Sequence, residues 1–276
     1  MSTTIVKRVL ITGAGGDVGR RITPLLKAAY RDVVLSDLKA PADTHGLPFI
    51  KAELSRIDEV AAAVKGIDGI VHLGGFSVEG PWDTILNANI VGCYNLFETA
   101  RAAGVKRIVF ASSNHAVGYY PRSETIAGDV TTRPDSRYGV SKAFGEALGA
   151  MYAYKHGMGV LSLRIGNVGE KPLDARRLSI MLHPEDLVQL IRIGFDTPGL
   201  THEVLYGMSD NKRAWWDNSR ARELGYKPKH RSEDQVAHAL AEQAKTATDP
   251  VCDFYQGGTF ASAEYTADFA AMKGRN

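Results

Sequence analysis

A cluster of glycines between a short apolar run and a helical pattern constrains the fold of this 276-residue chain more than any other feature. Residues 9–12 (VLIT) are predicted to form a buried strand, and the repeat G-x-x-G-x-x-G follows at Gly13, Gly16 and Gly19. Glycines at a strand-to-helix turn let the backbone approach a pyrophosphate, which the N-terminus of the following helix can bind. The spacing therefore predicts a nucleotide-binding unit at the start of the chain.

Strand and helix patterns alternate from this turn as far as residue 165, with five or six strands in all. This order predicts right-handed crossovers and a Rossmann-type, doubly wound α/β fold, whose parallel sheet has helices on both faces. The clearest predicted strands are 9–12, 33–36, 69–73, 107–111 and 160–165, and the predicted helices are 19–29, 57–64, 85–103 and 138–156. Tyr94 and Phe97 are predicted to lie on the inner face of the third of these helices.

The pattern becomes irregular after residue 165, where prolines recur at positions 172, 184, 198, 228 and 250. Segments 185–195 and 219–224 are the clearest helices there. We predict two domains: a nucleotide-binding Rossmann domain over 1–165, and a small substrate-binding lobe with a C-terminal arm over 166–276. Trp215 and Trp216 are expected to belong to the core of this lobe rather than to stack on a ligand.

Composition and charge exclude several classes of protein. A formal net charge of +2 argues against a nucleic-acid binder with a basic face. Cys93 and Cys252 lack the spacing of a disulfide framework or a zinc site, so no metal is predicted. No apolar run approaches the roughly 18 residues of a membrane helix. We expect a cytoplasmic protein without nucleic-acid or membrane partners.

Asp37 ends the second predicted strand, close to the spacing of roughly 20 residues at which an acidic side chain binds ribose. A carboxylate there accepts hydrogen bonds from the adenosine ribose and repels a 2′-phosphate, which favours NAD over NADP. A surface acid at a strand end is the alternative interpretation. Arg20, Arg21 and Lys39 lie close enough in sequence to weaken the preference.

Tyr138 and Lys142 are four residues apart at the start of a predicted helix and therefore share one face. An ammonium beside a phenol favours the phenolate and lowers the tyrosine pKa from its usual value near 10. Tyr138 is therefore predicted to take a proton from a substrate hydroxyl while hydride leaves the same carbon. Such pairs are common on helix surfaces, but this one follows a nucleotide-binding motif.

Residues 112–115 (SSNH) follow a predicted strand, at the carboxyl edge where parallel sheets bind ligands. Ser113 is predicted to hold the reacting oxygen beside Tyr138. For His115, a structural hydrogen bond and a contact with substrate both remain open. We do not expect His115 to be the base that transfers the proton.

In these motifs the chain resembles the extended short-chain dehydrogenase/reductases over nearly its whole length. The family motifs occur in their usual order: TGxxGxxG, the strand-end Asp37, VHLGG at 71–75, Ser113, and Tyr138 with Lys142. Five more specific segments resemble the uronate dehydrogenases of that family: HLGGFSVEGPW, FASSNHAVGYYP, RPDSRYGVSK, WWDNS and FYQGGTF. The resemblance implies NAD-dependent oxidation of the C1 hydroxyl of cyclic galacturonate or glucuronate to an aldaric acid lactone.

The resemblance also implies the residues of the site. The implied catalytic set is Ser113, Tyr138 and Lys142. The cofactor site would comprise Gly13, Gly16, Asp17, Val18, Gly19, Asp37, Leu38, Leu54, Leu73, Gly74, Gly75, Asn89, Tyr138, Lys142 and Ile165. The sugar would contact Ser77, Ser113, Asn114, His115, Tyr138, Asn167, Arg176 and Phe260. In this set Arg176 would hold the carboxylate, since a guanidinium matches it bidentately, and Phe260 would cap the site.

The chain departs from the family pattern at three places. Asn167 stands where a serine is expected near the sugar, and Glu53 replaces the usual aspartate near the adenine. Arg176 and Arg177 offer two candidates for one carboxylate clamp. These departures bear on substrate preference rather than on the type of reaction.

Two other functions stay open at the level of sequence. One is a nucleotide-sugar epimerase or dehydratase of the same family, although such enzymes usually have a larger C-terminal lobe. The other is a non-catalytic NAD-binding sensor, although sensors commonly lose the tyrosine or the lysine. A homo-oligomer is expected by analogy, because helices 85–103 and 138–156 form a dimer face in many relatives.

Overall fold

The computed structural model describes residues 6–245 and 247–274. Its strands are β1 (Arg8–Thr12), β2 (Asp32–Asp37), β3 (Phe49–Lys51), β4 (Gly69–His72), β5 (Arg107–Ser113), β6 (Gly159–Ile165), β7 (Asn167–Val168), β8 (Met181–Leu182) and β9 (His202–Gly207). Among these residues, seven strands form one parallel sheet in the order β3-β2-β1-β4-β5-β6-β9, and β7 pairs with β8 separately. The predicted Rossmann-type sheet is confirmed. Its order reverses between β1 and β4, where such folds bind ligands.

Helices flank this sheet on both faces, and further short helices lie in the segments after residue 165. They are α1 (Asp17–Ala29), α2 (Ile57–Ala63), α3 (Trp82–Ile85), α4 (Gly92–Ala102), α5 (Arg137–His156), α6 (Arg177–Ile180), α7 (Pro184–Asp196), α8 (Ser219–Glu223), α9 (Val236–Gln243), α10 (Pro250–Phe254), α11 (Thr259–Ser262) and α12 (Phe269–Lys273). In the two described ranges, no helix is both long and apolar enough to cross a membrane.

The predicted helix over 85–103 is interrupted by a π-helical turn, Leu86–Val91, between α3 and α4. Hydrogen bonds from i to i+5 lengthen this turn and rotate the residues that follow it. Phe97 is fully buried as predicted. The placement of Tyr94 on the inner face is wrong, because its side chain is 46% exposed.

Apolar side chains fill both faces of the sheet, since successive residues of a buried strand point to opposite faces. On one face Ile11 packs with Leu26 of α1 and Phe195 of α7. On the other face Leu10 packs with Phe97 of α4 and Tyr152 of α5. Each buried leucine or phenylalanine contributes about 1.5–3 kcal/mol to folding. The two layers fix the carboxyl edge of the sheet, where the site lies.

Residues beyond 165 contribute to this sheet as well as to the smaller lobe. The strand β9 pairs in parallel with β6, and α7 packs beside α1. A third apolar cluster contains Trp216, which is 3% exposed and stacks on Tyr206 at 4.8 Å, so its predicted core position is confirmed. The division into 1–165 and 166–276 stays a prediction, and residues 1–5, 246 and 275–276 lie outside the described residues.

Candidate active site

The glycine-rich turn is built from backbone contacts that side chains would prevent. Gly13 has a left-handed φ of +69°, and a Cβ atom there would lie 2.7 Å from the backbone nitrogen of Gly74. A Cβ atom on Gly19 would lie 2.5 Å from the Gly13 carbonyl oxygen. The helix α1 begins at Asp17, and its N-cap Gly16 supplies no side-chain hydrogen bond. The first N–H groups of α1 are therefore available to an anion.

Asp37 lies at the carboxyl end of β2 and is held in place by two backbone amides. Its Oδ2 accepts a hydrogen bond from Gly15 N at 2.8 Å, and its Oδ1 accepts one from Leu38 N at 2.7 Å. This links the acid directly to the glycine-rich turn. The exposed cations Arg20 and Lys39 line the same groove.

A groove of about 930 Å³ follows the carboxyl ends of β1, β2 and β4. It is lined by the predicted cofactor residues Gly13, Gly16, Asp17, Val18, Gly19, Asp37, Leu38, Leu54, Leu73, Gly74 and Gly75. The free amides of α1 and the carboxylate of Asp37 suit the pyrophosphate and ribose of a dinucleotide. Glu53 also lines the groove. Phe76 was not among the predicted residues, although it lines both this groove and the cavity beyond it.

Asn89 is the predicted cofactor residue that lines neither the groove nor the cavity beyond it. It lies in the π-helical turn and is only 6% exposed. Its Oδ1 accepts from Phe76 N at 2.7 Å, and its Nδ2 donates to Phe76 O and to Ser141 Oγ, both at 2.9 Å. Its observed role is to tie the loop after β4 to α5.

Tyr138 and Lys142 project from the first turns of α5 into a second cavity of about 390 Å³. The helix is capped by Ser136, whose Oγ accepts from Gly139 N at 2.9 Å. Lys142 donates from Nζ to the carbonyl oxygen of Ala111 at 2.8 Å, and this Nζ lies 5.4 Å from the centre of the Tyr138 ring. The predicted pair therefore shares one cavity wall, with the lysine anchored to β5.

Burial dominates the pKa values of this pair. It raises the pKa of Tyr138 to about 12, although the Ser113 hydroxyl favours the phenolate and lowers the value, while Asp135 adds to the rise. Burial also lowers the pKa of Lys142 to about 8. That Lys142 lowers the pKa of Tyr138 stays a prediction for the complex with NAD, in which the positive charge of the oxidised nicotinamide acts in the same direction.

The predicted sugar contacts gather around the same cavity. Ser113 ends β5, and its Oγ accepts from His115 N at 3.2 Å. The buried Asn114 amide has hydrogen-bond partners in one orientation. In that orientation its Nδ2 donates to Ile165 O at 3.2 Å, and its Oδ1 accepts from Arg176 Nη2 at 2.9 Å. The lining includes Ser77, Ser113, Asn114, His115, Tyr138, Lys142, Ile165, Asn167, Arg176 and Phe260.

Arg176 and Arg177 differ in their partners. Arg177 forms an ion pair with Asp174. Arg176 donates from Nε to Gln256 O at 2.8 Å, and no carboxylate of the described residues lies within 4.0 Å of it. Burial, together with the charges of Arg122 and Arg177, lowers the pKa of Arg176 to about 10. Of the two candidates, Arg176 has the charge that lacks an anionic partner.

His115 fits both interpretations left open by the sequence. Its Nδ1 forms a hydrogen bond with Asp135 Oδ2 at 2.7 Å, and its ring lines the cavity. Phe260 stacks on this ring at 3.9 Å and meets Tyr138 edge to face at 6.0 Å. Asp135 was not among the predicted residues, although a carboxylate three residues before Tyr138 is a signal that could have pointed to it.

Comparisons with known proteins agree with this geometry. The model of the NAD dependent epimerase/dehydratase family matches residues 9–183. A uronate dehydrogenase of Pseudomonas putida is 43% identical over 265 residues, 95% of this chain and 98% of the relative. The crystal structure of glucuronic acid dehydrogenase from Chromohalobacter salexigens superposes with a TM-score of 0.87 at 44% identity, covering 93% of this chain and 97% of that one.

A mutant uronate dehydrogenase of Agrobacterium tumefaciens, crystallised in complex with NAD, has the same coverages and identity and a TM-score of 0.85. The matched region contains the glycine-rich turn, Asp37, Ser113, Tyr138 and Lys142. This chain therefore belongs to the NAD-dependent epimerase/dehydratase family and groups there with the uronate dehydrogenases.

Proposed function

We propose that this protein oxidises the C1 hydroxyl of a cyclic hexuronate, galacturonate or glucuronate, to the aldaric acid lactone, with NAD as cofactor. One observation carries the proposal. The partly buried guanidinium of Arg176 faces the same cavity as Tyr138 and has no carboxylate partner within 4.0 Å among the described residues. A buried cation of this kind calls for an anionic ligand, and a uronate supplies one.

The groove would hold the cofactor through its backbone amides and Asp37. Bound NAD would supply the acceptor for the hydride that leaves C1. Ser113 and Tyr138 would hold the C1 oxygen, and Tyr138 would take its proton as the C1–O bond becomes a carbonyl. Lys142 would remain charged at neutral pH, since its pKa of about 8 lies above 7. It would stabilise the phenolate that Tyr138 must form.

The cavity would fix the sugar from several sides. Arg176 would bind the carboxylate with N–H groups not used by Gln256 and Asn114. Ser77, Asn114, His115 and Asn167 would contact hydroxyl groups, and Phe260 would cover the ring. A cavity of about 390 Å³ is near the lower end of ligand sites, which span roughly 300–1,000 Å³. That size favours a monosaccharide over a nucleotide sugar. A cytoplasmic, homo-oligomeric enzyme without a metal remains the prediction from the sequence.

The experiment is a panel of sugar acids and UDP-sugars with NAD and with NADP, read by absorbance of the reduced nicotinamide. Galacturonate or glucuronate with NAD should give reduced cofactor, and NMR should show a lactone as the first product. In Tyr138→Phe the rate should fall by about 10²–10⁴-fold while NAD binding is kept.

The alternatives give different results in the same panel. Turnover of a UDP-sugar without net NADH would replace the proposal by an epimerase or dehydratase. A wild-type protein that binds NAD but oxidises neither uronate, and cannot be distinguished from Tyr138→Phe, would indicate a sensor.

A further inference from the structure

A buried carboxylate lies directly behind the substrate cavity. The Asp135 side chain is fully buried, and its Oδ1 accepts from Ser136 Oγ at 2.8 Å while its Oδ2 bonds His115 Nδ1 at 2.7 Å. Glycines close around it: a Cβ atom on either Gly118 or Gly257 would lie 1.9 Å from Oδ2. The packing at these two positions leaves no room for a side chain beside the carboxylate.

The hydrogen bond to Asp135 decides the proton position on His115. A carboxylate can only accept, so Nδ1 must carry the proton that it donates. In the neutral imidazole the second nitrogen, Nε2, then has no proton and is a hydrogen-bond acceptor. No hydrogen bond to His115 Nε2 occurs within residues 6–245 and 247–274.

The ring plane of His115 is fixed as well as its tautomer. Phe260 stacks on it with an interplanar angle of 21°, and Tyr138 meets it edge to face at 5.8 Å. The backbone adds a further restraint, because Asp135 N donates to His115 O at 3.3 Å. The His115 side chain is still 12% exposed and lines the cavity. Since Nδ1 is engaged, Nε2 is the ring nitrogen left to bind a ligand.

We propose that Asp135 is a positioning residue that holds His115 as an acceptor for the hydroxyl next to the oxidised carbon of the sugar. This inference rests on the proposed function. Of the two ring neighbours of C1, the ring oxygen has no proton, and the carbon C2 bears a hydroxyl that can donate. An acceptor beside Tyr138 therefore matches the C2 hydroxyl and selects sugars that carry it.

The test compares Asp135→Ala, Asp135→Asn, His115→Ala and the double variant Asp135→Ala/His115→Ala, with hexuronates and their 2-deoxy analogues. Asp135→Ala should raise KM about 10-fold with a smaller change in kcat, because it weakens a substrate hydrogen bond. Asp135→Asn keeps an acceptor for Nδ1 and should restore most of the loss. Asp210→Ala, at an exposed ion pair with Arg222, is the matched control and should behave as wild type.

Two further readouts separate a positioning role from a structural one. In the His115→Ala background, Asp135→Ala should have no added effect on KM, and the 2-deoxy analogue should be used as well as the parent uronate. Nitrogen-15 NMR of the wild type should show protonated Nδ1 on His115, and in Asp135→Ala the Nε2–H form should gain population. Thermal unfolding and NAD binding report on whether each variant is folded.

The inference is overturned if the tautomer is unchanged in Asp135→Ala, or if that substitution costs as much without His115 as with it. If Asp135→Ala does not fold, the inference is tested by the KM values of Asp135→Asn and His115→Ala and by the His115 tautomer of the wild type. A wild type that oxidises no uronate would overturn the proposed function itself. Uronate oxidation without the expected dependence on His115 and the C2 hydroxyl would overturn the inference alone.

Discussion

Replacing Arg176 by methionine removes its charge while keeping an unbranched side chain at the wall of the cavity. In the proposed complex, the free Nη1 group and one N–H of Nη2 bind the uronate carboxylate. Hydrogen bonds to charged groups contribute about 1.5–3 kcal/mol each, part of which the variant regains when water solvates the carboxylate. We therefore expect a loss of about 3 kcal/mol, or about 100-fold in kcat/KM for the uronate.

The pKa of Arg176 gives a second route to the same magnitude. Its pKa falls from the ordinary value of a guanidinium to about 10 in the protein. At about 1.4 kcal/mol for each pH unit, the charged guanidinium is less stable in the cavity than in water by about 3 kcal/mol. A bound carboxylate relieves this cost, and a neutral hexose does not. Arg176→Met should therefore leave oxidation of the matching hexose unchanged or raise it.

The assay is kcat/KM for hexuronate and for the corresponding hexose, measured with saturating NAD. Arg177→Met is the matched control, because it changes the neighbouring residue, whose charge is already paired with Asp174. The ratio of uronate to hexose should fall about 100-fold in Arg176→Met and by less than about 3-fold in Arg177→Met. Equal losses in the two variants, or equal losses on uronate and hexose, would refute the assignment of the clamp.

Two further predictions concern the catalytic pair and the cofactor. For wild type, kcat/KM should rise about tenfold per pH unit up to pH 8, because the population of the Tyr138 phenolate grows. Above pH 8 it should become constant, because Lys142, with its pKa of about 8, loses its charge. In Lys142→Met the rate at pH 7 should fall about 100-fold, and the change of slope near pH 8 should disappear. If the profile of the variant still becomes constant near pH 8, the pKa near 8 belongs to a group other than Lys142. Asp37→Ala removes the carboxylate that repels the 2′-phosphate of NADP and leaves Arg20 and Lys39 in the groove. Since like charges brought together cost several kcal/mol, the NAD-to-NADP ratio of kcat/KM should drop about 100-fold. An unchanged ratio would place selectivity elsewhere, and Glu53→Ala is the control for a general change of groove charge.

The sheet was predictable because its strands carry a strong local signal. Five continuous apolar runs define strands from β1 to β6. Glycines at positions 13 and 19 mark a turn where backbone atoms approach too closely for a side chain. The short β3 and the strand β9 have weaker patterns and depend on pairing with β2 and β6. The π-helical turn before α4 has no sequence signature of this kind. The exposure of Tyr94 follows instead from helix geometry, because Tyr94 lies to the side of the buried stripe Cys93, Leu96, Phe97 and Ala100 of α4.

The sequence placed the motif residues in the cavity, but it did not show which residues position other side chains. Tyr138, Lys142 and Arg176 all reach the cavity as expected. Asn89 was assigned to the cofactor, yet its amide is used by the backbone of Phe76 and by Ser141. Asp135 precedes Tyr138 by three residues, but its contact with His115, 20 residues away, could not be read from spacing. The effect of burial on Tyr138 likewise depends on tertiary packing, which spacing alone does not reveal.

The two compartments of the site draw on unequal parts of the chain. Every residue that lines the dinucleotide groove lies between Thr12 and Ala88. The sugar cavity also takes walls from β5, α5, the segment around Arg176 and the tip at Phe260. Changes confined to the segments around Arg176 and Phe260 can therefore alter which sugar fits, while the groove and the catalytic set Ser113, Tyr138 and Lys142 stay in place.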